Sequence, residues 1–143
     1  MSTDVRRAVI RLSAGYFLRT LDVAKSLHQD DPVRAIVFTT IWVANVAHIR
    51  PNAGFDAKDE LAKDGQRRPI TVVQVADSLA MPAETVRRHV SALIADGLCV
   101  RHGRKGVTIP AEVFTRPGML EALDRQHQYT ETYYRELQKL LTA

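Results

Sequence analysis

The stretch from Pro69 to Pro110 constrains the fold more than any other, because its punctuation leaves few choices. Thr71 and Gln74 have the spacing of a capping box, in which a Thr hydroxyl and a Gln amide satisfy each other's free backbone donors. Val75, Ala76 and Leu79 follow as a short apolar stripe at helical spacing. Met81-Pro82-Ala83-Glu84 reads as a tight turn, since Pro82 opens a helix readily but disfavours helix at Met81. Val86, Val90, Leu93 and Ile94 mark the inner face of a second helix, and Gly97 ends it. Leu98 to Arg101 and Val107 to Ile109 alternate like strands around a basic, glycine-flanked tip, His102-Gly103-Arg104-Lys105-Gly106.

The flanks read as helices. Between Asp4 and Leu27 the residues Val9, Leu12, Tyr16, Val23 and Leu27 share one face, and Ile10, Phe17, Leu21 and Ala24 widen it. Asp31-Pro32 opens a helix that runs to about His48, with Asp31 as N-cap. Val33, Ile36, Val37, Phe38, Ile41, Trp42, Val43, Val46 and Ile49 lie nearly all round it, which predicts burial on most sides. Arg50-Pro51-Asn52-Ala53-Gly54 stops it, and Phe55 to Arg68 reads as a polar, mobile surface segment. Thr115 to Leu141 forms a last helix. In it Leu120, Leu123, His127, Thr130, Tyr134, Leu137 and Leu141 are spaced 3, 4, 3, 4, 3 and 4, a heptad-like seam with a polar middle.

The fold class expected is therefore mainly α with a small β-hairpin wing, a winged helix-turn-helix with extra N-terminal and C-terminal helices. Residues 1–29 form a packing or dimerisation helix, and residues 30–114 the winged domain, with a polar insertion at about 51–68. Residues 115–143 form a second dimerisation helix. The helix from Pro32 packs beneath the helix pair.

Charge supports a polyanionic partner. From Arg67 to Gly106 seven basic residues (Arg67, Arg68, Arg87, Arg88, Arg101, Arg104, Lys105) face three acids (Asp77, Glu84, Asp96). That excess of +4 equals the net charge of the whole chain, whose other residues are formally neutral together. The single cysteine, Cys99, excludes an internal disulfide and fits a reducing cytoplasm. The opening MSTDVRR lacks the apolar core of a signal peptide, and the most apolar run, Ala35 to Ile49, is too short and too interrupted for a membrane span.

The stretch VADSLAMPAETVRRHVSALIADGLCVRHGRKGVTIP resembles the DNA-binding modules of GntR-, MarR- and related bacterial repressors. Two parts carry the resemblance: Glu84 to Val90 with Leu93 and Asp96-Gly97-Leu98, and the tip Gly103-Arg104-Lys105-Gly106. It covers about Ile70 to Pro110, under a third of the chain. It implies a cytoplasmic repressor or other regulator of transcription that binds double-stranded DNA, with a recognition helix over about 82–96. A family Ser or Thr at the helix cap is replaced by Pro82, which loses one phosphate contact.

Helical spacing puts Ala83, Glu84, Arg87 and Ser91 outward, with Arg88 at the edge. Arg87 is placed to fork onto guanine and Glu84 to accept from cytosine, with Thr85 or Ser91 reaching phosphate or base edges. Small Ala83 allows close approach. Arg101, His102, Arg104 and Lys105 are assigned to the DNA backbone or minor groove.

The expected assembly is a homodimer on a pseudo-palindromic operator with half-sites roughly 34 Å apart. A small-molecule effector, if one exists, would change the spacing of the two recognition helices. The competing reading is a winged helix that binds protein and not DNA. No catalytic set, metal-ligand spacing or cofactor motif stands out, so no enzyme, metal or cofactor is expected. Phe17, Phe38 and Trp42 read as core in preference to an effector pocket, and Cys99 as a quiet buried thiol.

Overall fold

The computed structural model describes residues 2–49 and 61–143. It is mainly helical with one small antiparallel sheet. Five α-helices and two strands follow in chain order: α1 (Thr3–Ser26), α2 (Pro32–Val46), α3 (Val72–Leu79), α4 (Ala83–Ala95), β1 (Val100–Arg101), β2 (Val107–Thr108) and α5 (Pro117–Thr142). Both strands are shorter than their alternating sequence suggests. Residues 50–54 of the expected helix stop and 55–60 of the polar segment lie outside the described residues.

The chain divides into two compact units. One comprises Met1–Pro32 with Pro117–Ala143, and the other Val33–Arg116. In the first, α1 and α5 pair antiparallel: Ser13 bonds Tyr133 (3.0 Å) and Tyr16 bonds Thr130 (2.8 Å), while Gln126 donates to Thr20 (3.3 Å). The rings of Tyr16 and Tyr133 stack at 4.5 Å. The shared seam is thus largely polar and aromatic. On α5 it runs through Met119, Ala122, Gln126, Tyr129 and Tyr133, beside the heptad seam read from the sequence. Leu120, Leu123, Tyr134 and Leu141 of that seam are exposed, as is Phe17, which the sequence reading assigned to the core.

In the second unit α2, α3, α4 and the hairpin share a core of Val37, Phe38, Ile41, Val75, Val86, Val90, Leu93, Val107 and Ile109. α2 is buried along the face of Ala35, Val37, Phe38 and Ile41, whereas Ile36 and Val43 are exposed, and two polar residues, Arg34 and Asn45, are buried as well. Each has a reason to be inside. Arg34 donates to Asp96 at 2.6 Å, tying α2 to the end of α4. The Asn45 amide donates to the carbonyls of Arg68 (2.7 Å) and Val107 (3.1 Å) and accepts from the Ile109 amide (2.9 Å). A buried amide with its donors and acceptor engaged satisfies the Arg68 carbonyl and the Ile109 amide, which lie outside the helices and strands, and adds a second bond to the Val107 carbonyl.

The segment before α3 is anchored where it is described. A 3-10 turn covers Asp64–Gln66, and Arg67 is buried with its guanidinium 5.1 Å from the centre of the Phe114 ring. Burial lowers the Arg67 pKa, and Asp64 partly offsets this. Arg67 therefore belongs to the body of the unit and not to an exposed cationic surface. Trp42 meets Phe114 edge-on at 5.7 Å. No helix among the described residues is long and apolar enough to cross a membrane.

Candidate nucleic-acid interface

The capping box forms as its spacing requires. The Thr71 hydroxyl accepts from the Gln74 amide (3.1 Å), and the Gln74 side chain accepts from the Thr71 amide (3.0 Å). This starts α3 at Val72 and directs its first-turn amides outward. Ala80 then adopts a left-handed conformation (φ 51°), and the Met81 amide returns to the Ala76 carbonyl (3.0 Å). No sequence signal marks that turn residue, since alanine rarely adopts it. Pro82 caps α4 without a side-chain bond. The end of α4 is a Schellman arrangement: Gly97 sits at φ 72°, its amide reaches Ile94 (3.1 Å) and the Leu98 amide reaches Leu93 (2.9 Å). Arg116 adds a bond to the Gly97 carbonyl (3.0 Å).

On α4 the inward and outward faces fall where helical spacing puts them. Val86, Val90 and Leu93 are buried, Glu84, Arg87, Arg88 and Ser91 are exposed, and Ala83 and Thr85 are half-buried. Glu84 and Arg87 are salt-bridged to each other at 2.7 Å. An exposed pair of this kind is worth less than about 1 kcal/mol, so an incoming partner can open it.

The hairpin is pinned to the start of α3. Beyond the ladder pairs Val100–Thr108 and Arg101–Val107, Ile70 and Val107 exchange two backbone bonds (3.1 and 2.8 Å). Gly106 makes this approach feasible: a Cβ there would sit 2.2 Å from the Ile70 carbonyl oxygen. The tip, Gly103–Lys105, is a 3-10 turn that exposes Arg104 and Lys105. His102 is exposed but bonded to the Thr108 hydroxyl (2.8 Å), which holds its ring to the hairpin.

The consequence is a convergence of cations from separate segments. Arg87 of α4, Arg101 of β1 and Arg104 of the tip line one open cavity of about 310 Å³, together with Thr71, Val72 and Gly106. The N-terminal residues of α3 were not among the expected contacts, although the capping box marks where their amides would point. Arg88, Ser91 and Lys105 lie on exposed surface, and the cavity lining does not include them.

Cys99, next to β1, is buried, and desolvation pushes its thiol up to about 11. Native protein at pH 8 is therefore expected to resist alkylation by iodoacetamide, and unfolding should restore labelling to an ordinary thiol's rate. Fast native labelling would show that the site opens. Among the described residues no group of three His, Cys, Asp or Glu side chains is placed to hold a metal ion. Against models of known protein families, curated proteins and solved structures, the chain matches none.

Proposed function

We propose that this chain is a non-enzymatic, sequence-specific regulator of transcription that binds double-stranded DNA. In this reading the second unit is a winged helix-turn-helix. The α4 face of Glu84, Arg87, Arg88 and Ser91 enters the major groove, and the tip Arg104-Lys105 lies on the backbone or in the minor groove. The observation that carries it is the meeting of Arg87, Arg101 and Arg104 around one cavity beside an exposed helix. A concave surface lined by arginines from α4, β1 and the hairpin tip suits a phosphodiester backbone, while the neighbouring helix face remains open to base edges. The Glu84–Arg87 pair would open on docking, leaving a fork for guanine and an acceptor for cytosine.

Titration with salt tests this. Affinity for mixed duplex fragments should fall steeply as salt rises, and Arg104→Ala should flatten the log–log slope by about one while weakening all sequences alike. Arg87→Ala should cost roughly 1–3 kcal/mol and relax the base preference at one position. Absent or salt-insensitive binding would overturn the reading in favour of protein contact. Identical behaviour of the two variants would remove the division into base and phosphate contacts.

A further inference from the structure

The α1–α5 layer has one apolar side that is exposed among the described residues. Its two helices turn Ser13, Tyr16 and Thr20 of α1 and Gln126, Tyr129 and Tyr133 of α5 toward each other. At about 100° per residue, Ile10 and Phe17 lie roughly a fifth to a quarter of a turn round α1 from that line. Leu123, Tyr134 and Leu141 lie about as far round α5, in the same sense of rotation. Because the helices run antiparallel, equal senses of rotation bring both stripes to the same side of the layer. Ile10 is 67% exposed, Phe17 62%, Tyr134 59% and Leu141 50%. The opposite side carries Arg19, Ser26, Glu121, Gln128 and Thr132, all exposed and polar.

We propose that this side docks a second copy of the chain, two such layers stacking about a two-fold axis into a four-helix bundle. Three observations select a second copy over an unrelated partner. The α5 stripe repeats at heptad-like spacing, which suits side chains interleaving with an identical helix pair. Ile10, Phe17, Leu123, Tyr134 and Leu141 leave on the order of 100 Å² each open, so this stripe alone supplies more than half of the roughly 800 Å² per partner of a standard interface. The helices also differ in charge. α1 has five basic and two acidic residues, and α5 has three basic and four acidic ones, so a two-fold that lays α1 over the partner's α5 is favoured electrostatically. His127, paired with Glu131 at 2.6 Å, is the polar interruption that would fix the register.

The proposal rests on α1 and α5 alone, so DNA binding can fail without it. The test is the mass of the full chain by analytical ultracentrifugation, without DNA, across the micromolar range. Wild type should sediment at twice its 16.0 kDa. Phe17→Glu and Leu123→Glu should each weaken association at least about a hundredfold, giving monomer with an unchanged far-UV circular dichroism spectrum. Leu18→Glu is the control: Leu18 is 63% exposed but lies on the back of α1, so this variant should remain dimeric. A monomeric wild type, a dimer that survives both face variants, or equal loss with Leu18→Glu would each overturn it.

Discussion

Replacing Gly106 with alanine should lower the melting temperature by about 10–20 °C, a loss on the order of 3–5 kcal/mol for a chain of this length. Two penalties combine. Gly106 has φ 116° and ψ −148°, a region that only glycine occupies without strain. A Cβ would also come within 2.2 Å of the Ile70 oxygen, 2.3 Å of its carbonyl carbon and 2.7 Å of the Thr71 nitrogen. These are backbone atoms, held by the Ile70–Val107 bonds and the capping box, so they cannot swing aside as a flexible side chain would. The hairpin must part from the start of α3. The cavity lined by Arg87, Arg101 and Arg104 would then lose its shape, and the proposed duplex binding should weaken with stability. Gly103→Ala is the matched comparison. It also has positive φ (57°), but nothing lies within 4 Å of its added Cβ, so only the smaller strain cost of about 1 kcal/mol applies. Thermal melts of the two variants check this, and equal shifts would show that the close approach to Ile70 is not what requires glycine.

Asn45→Leu should destabilise by about 1–3 kcal/mol, because it strands the buried Ile109 amide and removes a donor from the part-buried Arg68 carbonyl. The Ile109 amide loses its acceptor and the Arg68 carbonyl its donor, whereas the Val107 carbonyl keeps the Ile70 amide. Urea denaturation should show a lower midpoint with a similar slope. Asn45→Asp separates hydrogen bonding from packing. The carboxylate can still accept from Ile109 but would face two carbonyl oxygens, so its protonated form is favoured in the folded state. A folded pKa raised above the unfolded value near 4 makes this variant's stability fall as pH rises from there. A midpoint independent of pH would mean that the site admits water.

Gly106 and Asn45 act on the same problem. The two strands are only two residues each, too short to hold a basic tip in place by themselves. The Ile70 bridge and the Asn45 amide brace the hairpin against α3 and α2, so Arg101 and Arg104 stay near Arg87. Pro69 to Pro110 contains the elements of this arrangement, but the bracing comes from Asn45, far upstream. As a lone asparagine in an apolar helix, it gives no local sign of which carbonyls it serves.

The seam on α5 shows a similar limit. Its 3-4 spacing was legible, and the structure has a helix there, but periodicity cannot say which of two adjacent stripes faces a neighbour. Polar and aromatic side chains that find partners on α1 took the inner position, through Tyr16 with Tyr133 and Gln126 with Thr20. The leucines remained outside.

What the sequence alone determined is local. Capping at Thr71, the start of α4 after Pro82, the stop at Gly97, the inner face of α4 and the glycine-flanked basic tip all follow from backbone rules acting over a few residues. Only the tertiary structure decided which distant groups meet. It put Arg67 inside, seated Asn45 under the hairpin and gathered three arginines around one cavity. Burial and hydrogen-bond satisfaction are properties of the packed chain, and no spacing within one segment encodes them.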